Sequence, residues 1–160
     1  YQSLMYDVEL IEVIGNPVTY SQQQIAAYLD TIGNATAYYD SETEATYYYI
    51  EDEVGTGDLL AEEDEVTIYY EGSLLDGRIF DANFESEGGL DVILGTTSLI
   101  RGWTIGLTHF RRGGKGRLLL PYDLAYGESG ETASGTNKYS IPPYEALLFE
   151  IEVAEEEEEE

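Results

Sequence analysis

The sequence predicts an α+β fold: a curved antiparallel β-sheet wrapped around one short helix, preceded by an extension with a short helix of its own. Three observations carry this reading. Between residues 46 and 154, stretches of alternating apolar and polar residues are separated by turns rich in glycine and aspartate, as in antiparallel strands. Within those residues one stretch, SLIRGW at 98–103, reads as helix. Before residue 46 the pattern is instead that of a short amphipathic helix, and residues 155–160 are an unbroken run of glutamate. The chain therefore divides into an extension (1–45), a domain (46–154) and an acidic tail (155–160) expected to be disordered.

In the extension, residues 1–19 mix apolar and acidic positions, and Asn16-Pro17 reads as a turn. Ser21 is placed to cap a helix in which Ile25, Tyr28 and Leu29 share a face, and Gly33-Asn34 ends it. From Thr46, TYYYIEDEV sets Tyr47, Tyr49 and Glu51 in alternation with Tyr48, Ile50 and Asp52, as a half-buried strand does. GTG at 55–57 is a turn, and the acidic residues 62–65 form another before a strand at 66–74. Asp76-Gly77 is the pair of a tight hairpin, so this strand should run antiparallel to 78–81, bringing Tyr70 near Phe80 and Asp81.

A loop with Gly88-Gly89 leads to a further strand, LDVIL, and Gly95 breaks it before the central run. There Ser98 is placed to cap the short helix, Gly102 lets a neighbouring chain pack closely, and Trp103 offers a broad rigid face. RRGGKG at 111–116 has neither the spacing nor the strand-loop-helix context of a phosphate-binding loop and reads as a mobile basic turn before a strand at 115–120. ESGETASGTNKY at 128–139 lacks apolar periodicity and should be a mobile loop. The last strand, 146–153, alternates Leu147, Phe149, Ile151 and Val153 against Leu148, Glu150 and Glu152.

Composition excludes several kinds of chemistry. The chain of 160 residues carries 33 acidic and 7 basic residues, a net charge of −26. Such a surface repels phosphate backbones, so nucleic acid is not an expected partner. There is no cysteine, which removes thiolate catalysis and disulfides, and the single histidine, His109, removes a multi-histidine metal site. The acidic clusters at 51–53 and 62–65 lack the glycine-punctuated spacing of a calcium loop and read as solvated faces. No metal and no cofactor is expected. No apolar run approaches the ~18 residues of a membrane span. The sequence begins at Tyr1 rather than Met, so we read it as mature or partial, with room for an export signal or lipid anchor upstream.

By itself, a tryptophan beside Leu99 and Ile100 reads as core. Its neighbours change that. VTIYYEGSLLDGRIFDAN at 66–83, SLIRGW at 98–103, LLLPYDLAYG at 118–127 and IPPYEALLFEIEV at 141–153, in this order and spacing, closely resemble the FKBP-type (macrolide-binding) peptidyl-prolyl cis-trans isomerase family over residues 46–154, about two thirds of the chain. The resemblance implies the same fold, with an apolar pocket between helix and sheet. It also implies a site in which Tyr70, Phe80, Asp81, Trp103, Tyr126 and Phe149 act on the substrate, while Leu90, Leu99, Ile100 and Ile141 bind it. By the same resemblance Asp81 bonds Tyr70, and the Tyr126 hydroxyl and the backbone N–H of Ile141 orient the substrate's carbonyls. The chain departs from the pattern at Leu90, where the best-known members carry an aromatic, at Leu124, and in the length of the loop after Gly127.

An apolar pocket suits such a reaction, because turning an imide breaks no covalent bond and the resonance that resists it is stabilised by water. The first functional hypothesis is thus an isomerase acting on X-Pro bonds of proline-containing polypeptides as a folding helper, with a macrolide as a further candidate ligand. The second is a non-catalytic docking module in a cell-envelope complex. The extension resembles those of exported bacterial members of the family, which points to the periplasm or outer membrane and leaves the cytoplasm open.

Overall fold

The computed structural model describes residues 15–85, 88–132 and 139–155. Most of the expectation for residues 1–19, the tip of the loop at 128–139, and the tail beyond Glu155 fall outside these residues. In chain order the elements are α1 (Pro17–Ile32), β1 (Thr36–Asp40), β2 (Ala45–Glu53), β3 (Glu65–Leu74), β4 (Ile79–Ala82), β5 (Leu90–Ile93), α2 (Arg101–Gly106), β6 (Lys115–Leu120), β7 (Glu131–Thr132), β8 (Tyr139–Ile141) and β9 (Leu147–Val153).

Alternation along the central strands explains the layering. In β6, Leu118 and Leu120 face one core while Leu119 faces another; in β9, Leu147, Phe149, Ile151 and Val153 face the first and Leu148 the second. In β2, Tyr47 and Tyr49 join the first core and Ile50 the second. A sheet that is apolar on both faces must be covered twice. The main sheet runs β1-β2-β6-β9-β3-β4, with β5 also on β3, and all these pairs are antiparallel. The short α2 covers the first face, and α1 covers the second through Ile25, Tyr28, Leu29 and Ile32. This is the α+β arrangement expected, with one layer more.

Three local expectations are corrected. The first helix is capped not by Ser21 but by Asn16, whose side-chain oxygen accepts from the Thr19 N–H at 3.1 Å, with Pro17 in the first turn where its missing N–H costs nothing. Ser21 is buried inside the helix. Gly33 closes it in the left-handed conformation, φ 66°, as the sequence suggested. Likewise Ser98 does not cap α2; extended Ile100 holds that position without a side-chain cap bond. The basic turn is not loose either. Arg112 receives the Gly57 N–H at its carbonyl and gives its own N–H to Asp58, and its guanidinium donates to the Glu65 carbonyl at 3.1 Å. Gly55 has no side chain to obstruct the backbone of residues 111–114, which is why this packing is possible.

Strand β1 was not foreseen. It pairs with β2 from Thr36↔Tyr49 to Asp40↔Ala45. Its end makes an ion pair with the other face's helix: Arg101 Nη2 donates to Asp40 Oδ1 at 2.8 Å and Nε to Oδ2 at 3.3 Å, and Glu42 reaches the same guanidinium. Thr43 adds an N–H and a hydroxyl to Asp40 Oδ2. Hydrogen bonding to Arg101, followed by that to Thr43, holds the Asp40 carboxyl well below the usual carboxylate range. Behind α2, a Cβ on Gly102 would lie 2.4 Å from Leu120 Cδ1, and one on Gly106 would lie 2.5 Å from Leu118 Cδ1. Both leucines are fully buried.

Two outcomes are expected from this packing. Gly102→Ala gains helix propensity of about 1 kcal/mol but overpacks a closed core, at a cost of about 1–3 kcal/mol. It should lower stability to urea, and Leu120→Val in the same chain should restore part of the loss; additive losses in the double-mutant cycle would contradict the close approach. For Asp40→Asn, the depressed folded-state pKa means stability present above the ordinary value of 3.8 and lost as pH falls toward the folded value. The melting-temperature gap from the parent chain should therefore be widest at neutral pH and narrow below 3.8, and a constant gap would refute it.

Candidate active site

Strand β3 turns Val66, Ile68, Tyr70 and Leu74 toward the first core, so Tyr70 enters from the sheet. Asp76-Gly77 makes the tight turn expected, with Gly77 at φ 90° and the Leu74 N–H donating to the Arg78 carbonyl at 2.9 Å. The hairpin then contains a feature not anticipated. Gly72 pairs with Asp81 but Ser73 pairs with Ile79, so Phe80 is an extra residue opposite that step. Such a bulge breaks the strict alternation of a strand, and Phe80 and Asp81, although consecutive, line the same cavity. Asn83 fixes the end of β4. Its N–H donates to the Tyr70 carbonyl at 2.9 Å, its side-chain oxygen accepts from the Tyr70 N–H at 2.7 Å, and its amide donates to the Ile68 carbonyl at 3.0 Å.

The cavity has a volume of about 200 Å³ and is lined by Tyr70, Phe80, Asp81, Leu90, Ser98, Leu99, Ile100, Trp103, Tyr126 and Phe149. Nine of the ten residues singled out from the sequence are thus brought together. Ile141 is the exception: its side chain is buried in the core on β8, paired with Glu131, and does not line the cavity. Ser98, expected as a helix cap, lines it instead.

The rings stand edge-on to one another. Tyr70 and Trp103 have centroids 4.9 Å apart at 89°, Trp103 and Phe149 5.4 Å at 83°, and Phe80 and Phe149 5.7 Å at 85°. Tyr126 meets Phe80 at 6.3 Å and 77°. Edge-to-face contact leaves each wall upright and a recess between them. Trp103 is 4% exposed and Phe149 3%, whereas Tyr70, Phe80, Leu90, Leu99, Ile100 and Tyr126 are half-buried. Gly72 makes this possible. A Cβ there would lie 2.6 Å from the Phe80 ring and 2.9 Å from that of Phe149. A glycine inside a strand is the sequence signal that would have found it.

One charge stands at the rim. The Tyr70 hydroxyl donates to Asp81 Oδ2 at 2.6 Å. Burial, and then the bond to Asp81, push the Tyr70 phenol well above its ordinary value, so it stays a donor at every physiological pH. Burial foremost, with the charges of Glu131 and Asp81, raises the Tyr126 phenol as well. The Trp103 indole N–H is buried with no hydrogen-bond partner among the described residues. This site offers an aromatic floor and walls, neutral hydroxyl donors and one carboxylate. It provides for desolvation and orientation of a compact apolar group rather than for nucleophilic attack.

Truncating Trp103 to alanine should cost about 3–5 kcal/mol of folding stability, because a buried indole leaves a cavity. Asp81→Ala at the exposed rim should cost within about 1 kcal/mol. Urea unfolding of both variants checks this, and equal losses would mean that Trp103 is not the packed floor.

Residues 57–154 match the family model described as FKBP-type peptidyl-prolyl cis-trans isomerase. A relative from Haemophilus influenzae, named as a probable FKBP-type peptidyl-prolyl cis-trans isomerase, is 35% identical over 111 residues, 69% of this chain and 43% of that protein. The chain thus spans less than half of that relative. The FK506-binding protein of Neisseria meningitidis serogroup C is 37% identical over 89 residues, 56% of this chain and 76% of that protein. Among solved structures, a peptidyl-prolyl cis-trans isomerase from Pseudomonas syringae superposes with a TM-score of 0.67 at 30% identity, covering 86% of this chain and 91% of its own. The chain belongs to the FKBP-type peptidyl-prolyl cis-trans isomerase family.

Proposed function

We propose that this chain accelerates cis-trans exchange of X-Pro bonds in polypeptides. The observation that carries the reading is the recess between Tyr70, Phe80 and Phe149 over the Trp103 floor, sized for a proline ring and its neighbouring carbonyl. Rotation about the imide has a barrier of about 18–20 kcal/mol, because resonance gives the C–N bond double-bond character. That resonance form is the more polar one, so removing water from the carbonyl weakens it and favours the twisted state. A proline ring seated on Trp103 places the imide among apolar rings. The hydroxyl of Tyr126 and the backbone N–H of Ile141 are proposed as donors that hold the flanking carbonyls, while Asp81, held by Tyr70, faces the rotating bond. An acceleration of ~10⁴ to 10⁶ requires ~5–8 kcal/mol, which desolvation and orientation together can supply.

The same recess is proposed as the site for a macrolide, in keeping with the name of the Neisseria relative. For the cell, we propose a folding helper in the periplasm or at the outer membrane. The likeness to the Pseudomonas structure covers 86% of the chain, more than residues 57–160 could supply, and so reaches into the segment before residue 57. The docking-module alternative has no need of an intact recess.

A protease-coupled assay on a proline tetrapeptide separates the two readings. The full chain should accelerate exchange, and Asp81→Ala and Tyr126→Phe should lower kcat/KM by about tenfold or more with the melting temperature nearly unchanged. An uncatalysed rate from the folded parent chain would overturn the isomerase reading in favour of docking.

A further inference from the structure

A separate cavity of about 350 Å³ opens on the other face of the sheet, between α1, the start of β2 and the turn that follows β6. Its walls are mixed: Ile25 and the half-buried Leu29 and Tyr48 belong to the core under α1, while Gln22, Thr46 and Tyr122 add polar atoms. Its charged lining residues are Glu44 and Asp123, both exposed, and neither is in an ion pair among the described residues. Ser21 also lines it. That residue is 1% exposed, and its hydroxyl has no hydrogen-bond partner among the described residues. A serine within a helix ordinarily bonds back to the preceding turn or points to water, and a buried unpaired hydroxyl is costly.

A recess with one apolar side and two carboxylates, on a chain of net charge −26, selects a cation with a hydrocarbon stem and rejects an anion. We propose that this cavity holds a lysine side chain of a bound polypeptide. The stem lies along Ile25, Leu29 and Tyr48, and the ammonium, which has three donors and no acceptor, meets the carboxylates of Glu44 and Asp123, with the buried Ser21 hydroxyl turning outward to join them. Lysine suits the site better than arginine because the two carboxylates come from different segments, a turn and a short 3-10 helix, offering a point charge its partners rather than a single bidentate fork. Asp123 of this cavity and Tyr126 of the aromatic recess stand three residues apart in one segment. The nature of the partner rests on the isomerase reading.

The test uses the full ¹⁵N-labelled chain and a proline-free peptide, acetyl-Gly-Ala-Lys-Ala-Gly-amide, beside its norleucine twin, followed by amide chemical shifts. The lysine peptide should shift Ala26, Thr46 and Asp123, and the norleucine twin should bind at least about tenfold more weakly. Glu44→Gln with Asp123→Asn should weaken the lysine peptide about tenfold. Ala26→Phe, on the exposed side of α1 and lining the cavity, should abolish the shifts while prolyl-peptide turnover is retained. Equal binding of the norleucine twin, indifference to the double charge removal, or shifts confined to other residues would overturn the site. Because the probes lack proline, loss of lysine binding with intact isomerase activity refutes this inference alone, and lysine binding without isomerase activity refutes the isomerase reading alone.

Discussion

The closeness of α2 to β6 is the constraint on which the recess depends. Two glycines one helical turn apart, Gly102 and Gly106, lie against the side chains of Leu120 and Leu118, and no larger residue fits without moving them. The helix is six residues long and has no side-chain cap, so its own hydrogen bonds give it little stability. It is held by contact with the sheet. Trp103, between the two glycines, can then lie flat enough to serve as a floor while Tyr70, Phe149 and, behind it, Phe80 rise around it. The same logic recurs on the sheet side, where Gly72 leaves room for the Phe80 and Phe149 rings. Small residues place the backbones, and large ones fill what remains.

What could be read in the sequence were the features set by local pattern. Alternation in LLFEIEV gave both the strand and its inward face, and Asp76-Gly77 gave the turn that sets Tyr70 against Asp81. Ordered motifs brought into view nine residues that line the recess. The rest depends on what a segment meets. TAYYD at 36–40 has no turn chemistry that announces a strand; it becomes one because the edge of β2 is there to pair with it. Ser21 and Ser98 carry the right side chain for a cap, yet each helix start was settled elsewhere, by Asn16-Pro17 and by the extended approach through Ile100. The bulge at Phe80 is a matter of register between two strands, to which periodicity within either strand is blind. Ile141 shows the opposite limit: a residue assigned by resemblance through its backbone proves to have its side chain in the core.

Scarcity of positive charge gives each cation structural weight. Arg117 makes a two-pronged bond to Asp52, at 2.8 and 2.7 Å, and reaches the Tyr28 hydroxyl of α1; Lys115 lies between Glu53 and Glu152. Arg111 and Arg112 donate to the backbone carbonyls of Gly57 and Glu65 in neighbouring segments. Four of the six bases among the described residues, Arg78, Arg101, Lys115 and Arg117, pair with a carboxylate, which relieves the self-repulsion of the surface locally. Exposed pairs of this sort contribute little each, so their value lies in register and orientation more than in stability.

Arg101 is where this matters for the recess. It is the first residue of α2, two positions before Trp103, and its partner Asp40 lies on a strand outside the part of the chain that matches the family. Because α2 is short and uncapped, its orientation follows whatever grips its ends. One end is gripped from β1, and beyond the other His109 stacks on Tyr38 of the same strand at 3.8 Å, within hydrogen-bonding distance of the Tyr47 hydroxyl. Burial lowers the His109 pKa, which favours the neutral ring. Strand β1 therefore touches the floor helix near both ends while contributing no residue to the recess itself. A segment that reads as an appendage to the family-matching part of the chain acts, through one ion pair and one ring stack, as part of the scaffold that aims Trp103.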